Sequence, residues 1–330
     1  MRGITRLSLA LLSALVAQVP AEAAAPSAPV SPLPVIIDTD VGDDIDDAFA
    51  LVIALKDPHL EVIGVTTAWG DTRTRTLLVR RLLTTLGRQD VVVAQGPATA
   101  DPVPFTQKKW ALGALDTSPA PDAIEFLCAQ AHKRPGKITL IALAPLTNIE
   151  ALARRDPHAL RELKQVVMMG GSIHAGYNQG GAVPSAEPSA EYNVASDPGG
   201  LVALLQSKVA VRMFPLDSTQ IKFDEVRRDR LFAYGSPASD ALALLYHQWR
   251  LLNSWGQITP TLFDVVPVTW LLDPSTCPVT PLRIEVDARG FTRPVSGAPN
   301  LEACLTLHEE ATQRLIMNAL APLEPPRGAQ

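Results

Sequence analysis

Between Pro34 and Phe214 short apolar runs alternate with amphipathic stretches, and no other property of the chain restricts its fold as much. The runs PVIID, LEVIGVTTAW, DVVVAQG, KITLIALAP, KQVVMMGG and KVAVRMF are continuously apolar, the pattern of strands covered on both faces. Between them DDAFALVIALKDP, TRTRTLLVRRLLTTLG, PDAIEFLCAQAHK, LTNIEALARR, DPHALREL and DPGGLVALLQS read as helices, with Gly87 as the stop of the second. This rhythm predicts an α/β fold, a mainly parallel central sheet flanked by helices. Beyond Pro215 it is less regular. SPASDALALLYHQWRLLNSWG reads as a long helix, PVTPLRIEVD as an added strand, and LTLHEEATQRLIMNAL carries a closing helix. No repeat or linker divides this stretch, so a single domain is expected over residues 34–321, followed by a tail at 322–330.

The first residues have a different character. Arg2 and Arg6 precede the apolar run LSLALLSALVA, and the small residues of AEAAAPSA follow. That order matches a secretory signal, expected over residues 1–25 with cleavage near Ala23 to Ala25 and a flexible segment at 26–33. The apolar run is too short for a permanent bilayer span, though an uncleaved anchor is the competing reading. A periplasmic or secreted protein, free of the membrane after cleavage, is the expectation. With a net charge of -5 the chain lacks the basic footprint of a nucleic-acid binder. Its three cysteines, Cys128, Cys277 and Cys304, allow at most one disulfide, and their spacing matches no zinc or redox motif.

The chemistry concentrates in VIIDTDVGDDIDDAFALVIAL, where Asp38, Asp40, Asp43, Asp44, Asp46 and Asp47 fall within ten residues and no Lys or Arg stands among them. In parallel sheets ligands bind beyond the carboxyl ends of the strands, where the first strand delivers Asp38 and Asp40 and the next helix starts with Asp46 and Asp47. Carboxylates this close either take up protons or share a cation. An all-oxygen donor set favours a hard ion, Ca²⁺ or Mg²⁺. The bland alternative is a solvated loop with a helix-capping aspartate. An EF-hand loop starting at Asp38 fails, since its sixth position is Asp43 and its twelfth Phe49. A phosphotransfer site of the haloacid dehalogenase kind lacks its usual threonine at Gly42, and a Gly-rich phosphate cradle is absent.

DTDVGDDIDDAFAL resembles the N-terminal signature of the inosine-uridine-preferring nucleoside hydrolases, Asp-x-Asp-x-Gly followed by Asp-Asp-Ala-x-Ala-Leu. VIGVTTAWGD, LLTTLGRQDVVVAQGPATA, LIALAPLTNIEAL, VVMMGG with PSAEYNVASDP, and TLFDVVPVTWLLDP resemble further segments of that family in the same order, from Val35 to about Pro274. The resemblance implies hydrolysis of the N-glycosidic bond of a ribonucleoside by a Ca²⁺ enzyme. It implies Asp40 as a Ca²⁺ ligand and general base on water, Asp47, Asp264 and the Leu143 carbonyl as further ligands, and Asp46, Glu191 and Asn193 on the ribose hydroxyls. Such carboxylates would also stabilise an oxocarbenium-like state. Relatives are commonly dimers or tetramers, so a homo-oligomer is a further implication.

The chain departs from the family pattern in four places. Two extra residues lengthen the aspartate motif, so Asp43 and Asp44 fall in an insertion, as further ligands or as loop acids. Phe263 stands where a histidine often precedes the late aspartate. Leaving-group activation would then come from Trp69, Trp249 or Trp255 by stacking, or from Tyr246 or His247 as proton donors, with core packing the competing reading for each. Asp71 replaces a usual asparagine and is a candidate contact to ribose. Ser185 replaces another, for which Asn178 could substitute. His174 reads as a surface loop residue, and Thr147 and Asn148 as helix caps. Against the hydrolase stands a protein that holds a nucleoside or sugar at the same metal–carboxylate pocket without cleaving it.

Overall fold

The computed structural model describes residues 31–178, 187–254 and 256–323. The expected signal peptide, most of the segment after it, the end of the tail, Ser185 and Trp255 lie outside the described residues.

The main sheet is built from β1 (Leu33–Thr39), β2 (Leu60–Thr67), β3 (Val92–Gln95), β4 (Thr139–Ala142), β5 (Gln165–Met169), β6 (Val211–Phe214), β7 (Val279–Leu282) and β10 (Leu301–Cys304). A two-stranded sheet pairs β8 (Ile284–Val286) with β9 (Thr292–Pro294). The order across the main sheet is β3-β2-β1-β4-β5-β6-β10-β7, parallel throughout except for the antiparallel edge strand β7. Each expected strand up to Phe214 is present. The expected α/β fold with a mainly parallel sheet is therefore the observed one.

Alternation within the strands sends side chains to two separate cores. Val35 and Ile37 pack on one face with the helices Asp46–Lys56, Thr72–Leu86, Pro237–Leu252, Val265–Leu272 and Glu309–Leu320. Ile36, Leu140, Val166 and Met168 pack on the other with Ala123–Lys133, Thr147–Arg155, Pro157–Glu162 and Pro198–Ser207. Both faces are covered, which is why these strands read as continuous apolar runs. Among the described residues no helix is long and apolar enough to cross a membrane.

Two features differ from expectation. PVTPLRIEVD is not one strand: it divides at Arg283 into β7 and β8. Asn300 causes the break, its side chain accepting from the Ile284 N–H and donating to the Ile284 carbonyl, both at 2.9 Å, so β8 leaves the main ladder. The short strand β10 then fills the place between β6 and β7. Cys277 and Cys304 form a disulfide, and Cys128 is a buried free thiol.

The order of strands positions the site. The chain runs from β1 outward to β2 and β3, then returns to place β4 on the other side of β1. β1 and β4 thus flank the point where the winding reverses, and a crevice opens beyond their carboxyl ends.

Candidate active site

The site begins at the end of β1. Asp38 is fully buried, and its Oδ1 accepts from the Thr66 hydroxyl at 2.5 Å and the Asn148 amide at 2.7 Å. Its Oδ2 has no hydrogen-bond partner among the described residues. Burial pushes this carboxyl up to about 6, against the pull of those two donors. Asn148 therefore does not cap the helix Thr147–Arg155, as its place in the sequence suggests. Its amide also reaches the Thr67 carbonyl, tying β1 and β2 to that helix.

Beyond Asp40 the two-residue insertion is fastened along its carbonyl edge. The carbonyls of Asp40 and Val41 accept from Arg75, those of Gly42 and Asp43 from the Thr106 hydroxyl, and that of Asp44 from Gln107 Nε2. Gly42 has a φ of +136°, and a Cβ there would come within 2.1 Å of the Phe105 ring edge. Any side chain at this position is excluded twice, by conformation and by space.

Arg75 supplies the cation that the aspartate stretch lacks. It comes from the helix Thr72–Leu86, is 1% exposed, and reaches Asp43 Oδ2 at 2.7 Å and Asp101 Oδ2 at 3.0 Å. Its Nε donates to the carbonyl of Trp69, a residue held at φ +60°. Burial still pushes Asp43 up to about 8, although Arg75 opposes it. Asp44 accepts from the Ile45 N–H at 2.7 Å, and its carboxyl is pushed up to about 7 by burial.

Deeper in, carboxylate oxygens of Asp46, Asp47 and Asp264 all lie within 4.8 Å of one another, and all three side chains are buried. Asp46 and Asp47 occupy the first turn of the helix Asp46–Lys56, where N–H groups favour negative charge. The Asp264 N–H donates to Asp46 Oδ2 at 3.2 Å, and the Thr39 hydroxyl to Asp47 Oδ1 at 2.5 Å. Asp40 lines the same cavity outside this trio. Burial, then neighbouring carboxylates, pushes Asp40, Asp46 and Asp264 well above the ordinary range, with Asp47 raised to about 6. Asp46, expected on the ribose, thus stands beside Asp47 and Asp264, which were expected on the ion.

A hard divalent cation fits this arrangement. Its donors are all oxygen, they are buried, and the upward shift of their carboxyls marks a charge excess that Arg75 alone does not relieve. Leu143, just after β4, lines the same cavity, and its carbonyl accepts from Asn193 Nδ2 at 2.8 Å. A carbonyl oxygen has a second lone pair.

The cavity holds about 570 Å³. Glu191 lines it, with Oε1 accepting from the Asn193 N–H and Oε2 from the Gly171 and Val194 N–H groups. Asn178 lines it as well, with an Oδ1 that has no partner among the described residues. Tyr177, Tyr192, Lys222 and Phe263 complete the parts of the wall that bear on the chemistry, and the Tyr177 and Phe263 rings meet edge-on at 6.2 Å.

Other candidates are placed elsewhere. Asp71 is not in the cavity wall. It caps the helix Thr72–Leu86, accepting from the Thr74 N–H at 3.0 Å and the Thr74 hydroxyl at 2.6 Å, which consumes the carboxylate that was expected on ribose. Trp249 is buried in the core, and the Tyr246 hydroxyl donates to the Ile258 carbonyl. Trp69 donates to the Tyr192 hydroxyl, while His247 and His174 are exposed. None of these five lines the cavity. Lys222 and the two tyrosines, in turn, line the cavity without having been expected there, and Arg75, behind the aspartate loop, was not expected either.

Residues 35–314 match the family described as inosine-uridine preferring nucleoside hydrolase. The chain is similar to the pyrimidine-specific ribonucleoside hydrolase RihA of Citrobacter koseri, 31% identical over 278 residues that cover 78% of this chain and 85% of that one. Its fold is similar to that of a plant nucleoside hydrolase, PpNRh1, with a TM-score of 0.75 at 24% identity, covering 88% of this chain and 99% of the other. A purine-preferring ribonucleoside hydrolase from Gardnerella vaginalis superposes with a TM-score of 0.72 at 20% identity, covering 88% and 100%.

Proposed function

The chain belongs to the inosine-uridine preferring nucleoside hydrolase family, enzymes that cleave ribonucleosides, and from that premise we propose an exported, Ca²⁺-dependent hydrolase in which Asp40 activates the attacking water. The observation that carries this reading is the buried, all-oxygen carboxylate group at the reversal point of the sheet, opening into a cavity of nucleoside size.

Asp40, Asp47, Asp264 and the Leu143 carbonyl would hold the ion. Bound there, Ca²⁺ supplies the positive charge that lets these carboxylates ionise together, orients sugar hydroxyls and acidifies water. Asp40 takes the water proton. Asp46, Glu191 and Asn193 orient the ribose, so that its anomeric carbon faces the water. The surrounding carboxylates stabilise positive charge as it develops on the sugar. Asp71 has no part in this reading, because its carboxylate is engaged in the helix cap.

Export is supported by the Arg2 and Arg6 leader pattern, and the Cys277–Cys304 bond suits an oxidising compartment. Edman or mass-spectrometric identification of the mature N-terminus in a periplasmic or culture fraction tests it directly.

The test of the reaction is release of base from uridine, cytidine, inosine and adenosine by protein stripped with chelator, then reloaded with Ca²⁺. Activity should vanish on stripping and return with the ion. Asp40→Asn should lower kcat by roughly 10²- to 10⁴-fold, the usual worth of a general base. Binding of ribosides without release of any base would turn the assignment into that of a binding protein.

A further inference from the structure

Breaking the glycosidic bond leaves an electron pair on the base, and most bases depart poorly as anions. A proton donor on the base side is therefore required or strongly favoured. The residue before Asp264 is Phe263, which lines the cavity and has no proton to give.

We propose that Lys222 is the acid that protonates the departing base. The proposal rests on the hydrolase reading above and is reached by elimination. Among the described residues of the cavity wall, the side chains with a proton acidic enough to transfer, beyond the carboxyls, are Tyr177, Tyr192 and Lys222. The Tyr177 hydroxyl accepts from the Tyr192 N–H at 2.9 Å and supports the Glu191 carboxylate with its proton. Burial, then the nearby Glu191 charge, pushes its phenol still higher. The Tyr192 hydroxyl donates to Asp101 at 3.0 Å and accepts from Trp69 Nε1 at 3.1 Å, so its proton points away from any substrate.

Lys222 is differently placed. It is the one basic residue in the described cavity wall. A bridge to Thr261 and a Gln313 bond to its carbonyl at 3.1 Å fix its backbone. Its ammonium donates to the Thr261 hydroxyl at 2.5 Å, and an ammonium has three N–H bonds, leaving two for a ligand. The segment carrying Thr261 also carries Asp264, so one short stretch of chain couples the proposed acid to the carboxylate floor. From the loop after β1 the charged group facing Lys222 is Asp44; the Thr261 segment and the C-terminal helix present Gln257, Thr261 and Gln313. Burial lowers the ammonium's pKa, and Asp44 opposes that shift. A lowered lysine is a better acid.

The step balances. The C1′–N bond breaks and its pair goes to the base. One proton passes from Lys222 to the base. Water forms the new C1′–O bond and gives one proton to Asp40. Solvent then takes the Asp40 proton and returns one to Lys222, so nucleoside plus water becomes ribose plus neutral base.

The test compares uridine or inosine with p-nitrophenyl β-riboside, whose p-nitrophenolate leaves without a proton. Lys222→Met, in Ca²⁺-loaded full-length protein with unchanged melting temperature, should lose about 10²- to 10³-fold in kcat on the nucleoside and less than threefold on the aryl riboside. Lys222→Arg, which keeps the charge but does not give up its proton, should behave like Lys222→Met. Equal losses on both substrates, no loss on either, or full rescue by arginine would each overturn the proposal. A wild-type protein that cleaves neither substrate would overturn the hydrolase reading itself, and this inference with it.

Discussion

At the scale of single residues, Arg75 decides how the aspartate motif survives burial. Its guanidinium spans Asp43 and Asp101 and caps the carbonyls of Asp40 and Val41. Because both the Arg75 and Asp43 side chains are almost wholly buried, removing one leaves an uncompensated charge. Arg75→Met should lower unfolding stability by about 3–5 kcal/mol in urea titrations, and Arg75→Met with Asp43→Asn should recover part of that loss. A single variant within about 0.5 kcal/mol of wild type would show that the insertion does not depend on this pair. Parts of this were legible in sequence and parts were not. The six aspartates announced a charge problem, but its partial solution sits some thirty positions away. The signal was available: Arg75 falls on the same helical stripe as Leu78, Val79 and Leu82, an odd place for a charge unless it is paired. Asp71 and Asn148 show the opposite limit. Residue type allows each to cap a helix or to reach inward, and only the fold decides. Asp71 caps and Asn148 reaches in.

At the scale of elements, the six strands through β6 were legible because burial on both faces leaves a continuous apolar signature. β10 was not: LEAC is four residues long, and its place in the sheet follows from pairing with β6 and β7, not from local pattern. PVTPLRIEVD misled for a related reason, since its break is imposed by Asn300 from outside the segment. The disulfide staples this late-added edge, joining Cys304 on β10 to Cys277 just before β7 across 27 residues. Loop-closure entropy for that separation corresponds to about 3.5 kcal/mol. Cys277→Ala with Cys304→Ala should lose roughly that amount in chemical unfolding, while melting of wild type in reductant should shift in the same direction. An unchanged midpoint in both would mean that β10 and β7 hold the edge without the bond.

At the scale of the whole molecule, the site is a concentration of like charge assembled by topology. The reversal of winding between β1 and β4 brings together groups as distant in sequence as Asp46 and Asp264, 218 positions apart. The order of family-like segments made this assembly legible, since those around Asp38, Leu143 and Gly170 fall at the carboxyl ends of β1, β4 and β5, while Asp264 arrives at the start of a helix. Assembly has an energetic consequence. Asp38 and Asp47 are raised to about 6 and Asp43 to about 8, from 3.8 for an unperturbed aspartate. Between 3.8 and the raised values the folded protein therefore binds more protons than the unfolded chain. Stability without metal must then fall as pH rises through that window, being least affected below 3.8 and most reduced above about 8. A divalent ion reverses the trend, because it requires the carboxylates to be deprotonated and binds only the folded arrangement. Chelator-treated protein should thus melt lower at pH 8 than at pH 5, and Ca²⁺ should raise the melting temperature more at pH 8. At about 100 times Kd the ion should contribute about 2.7 kcal/mol. Metal-free protein as stable at pH 8 as at pH 5, together with a Ca²⁺ effect independent of pH, would mean that the carboxylates do not share their burden in this way.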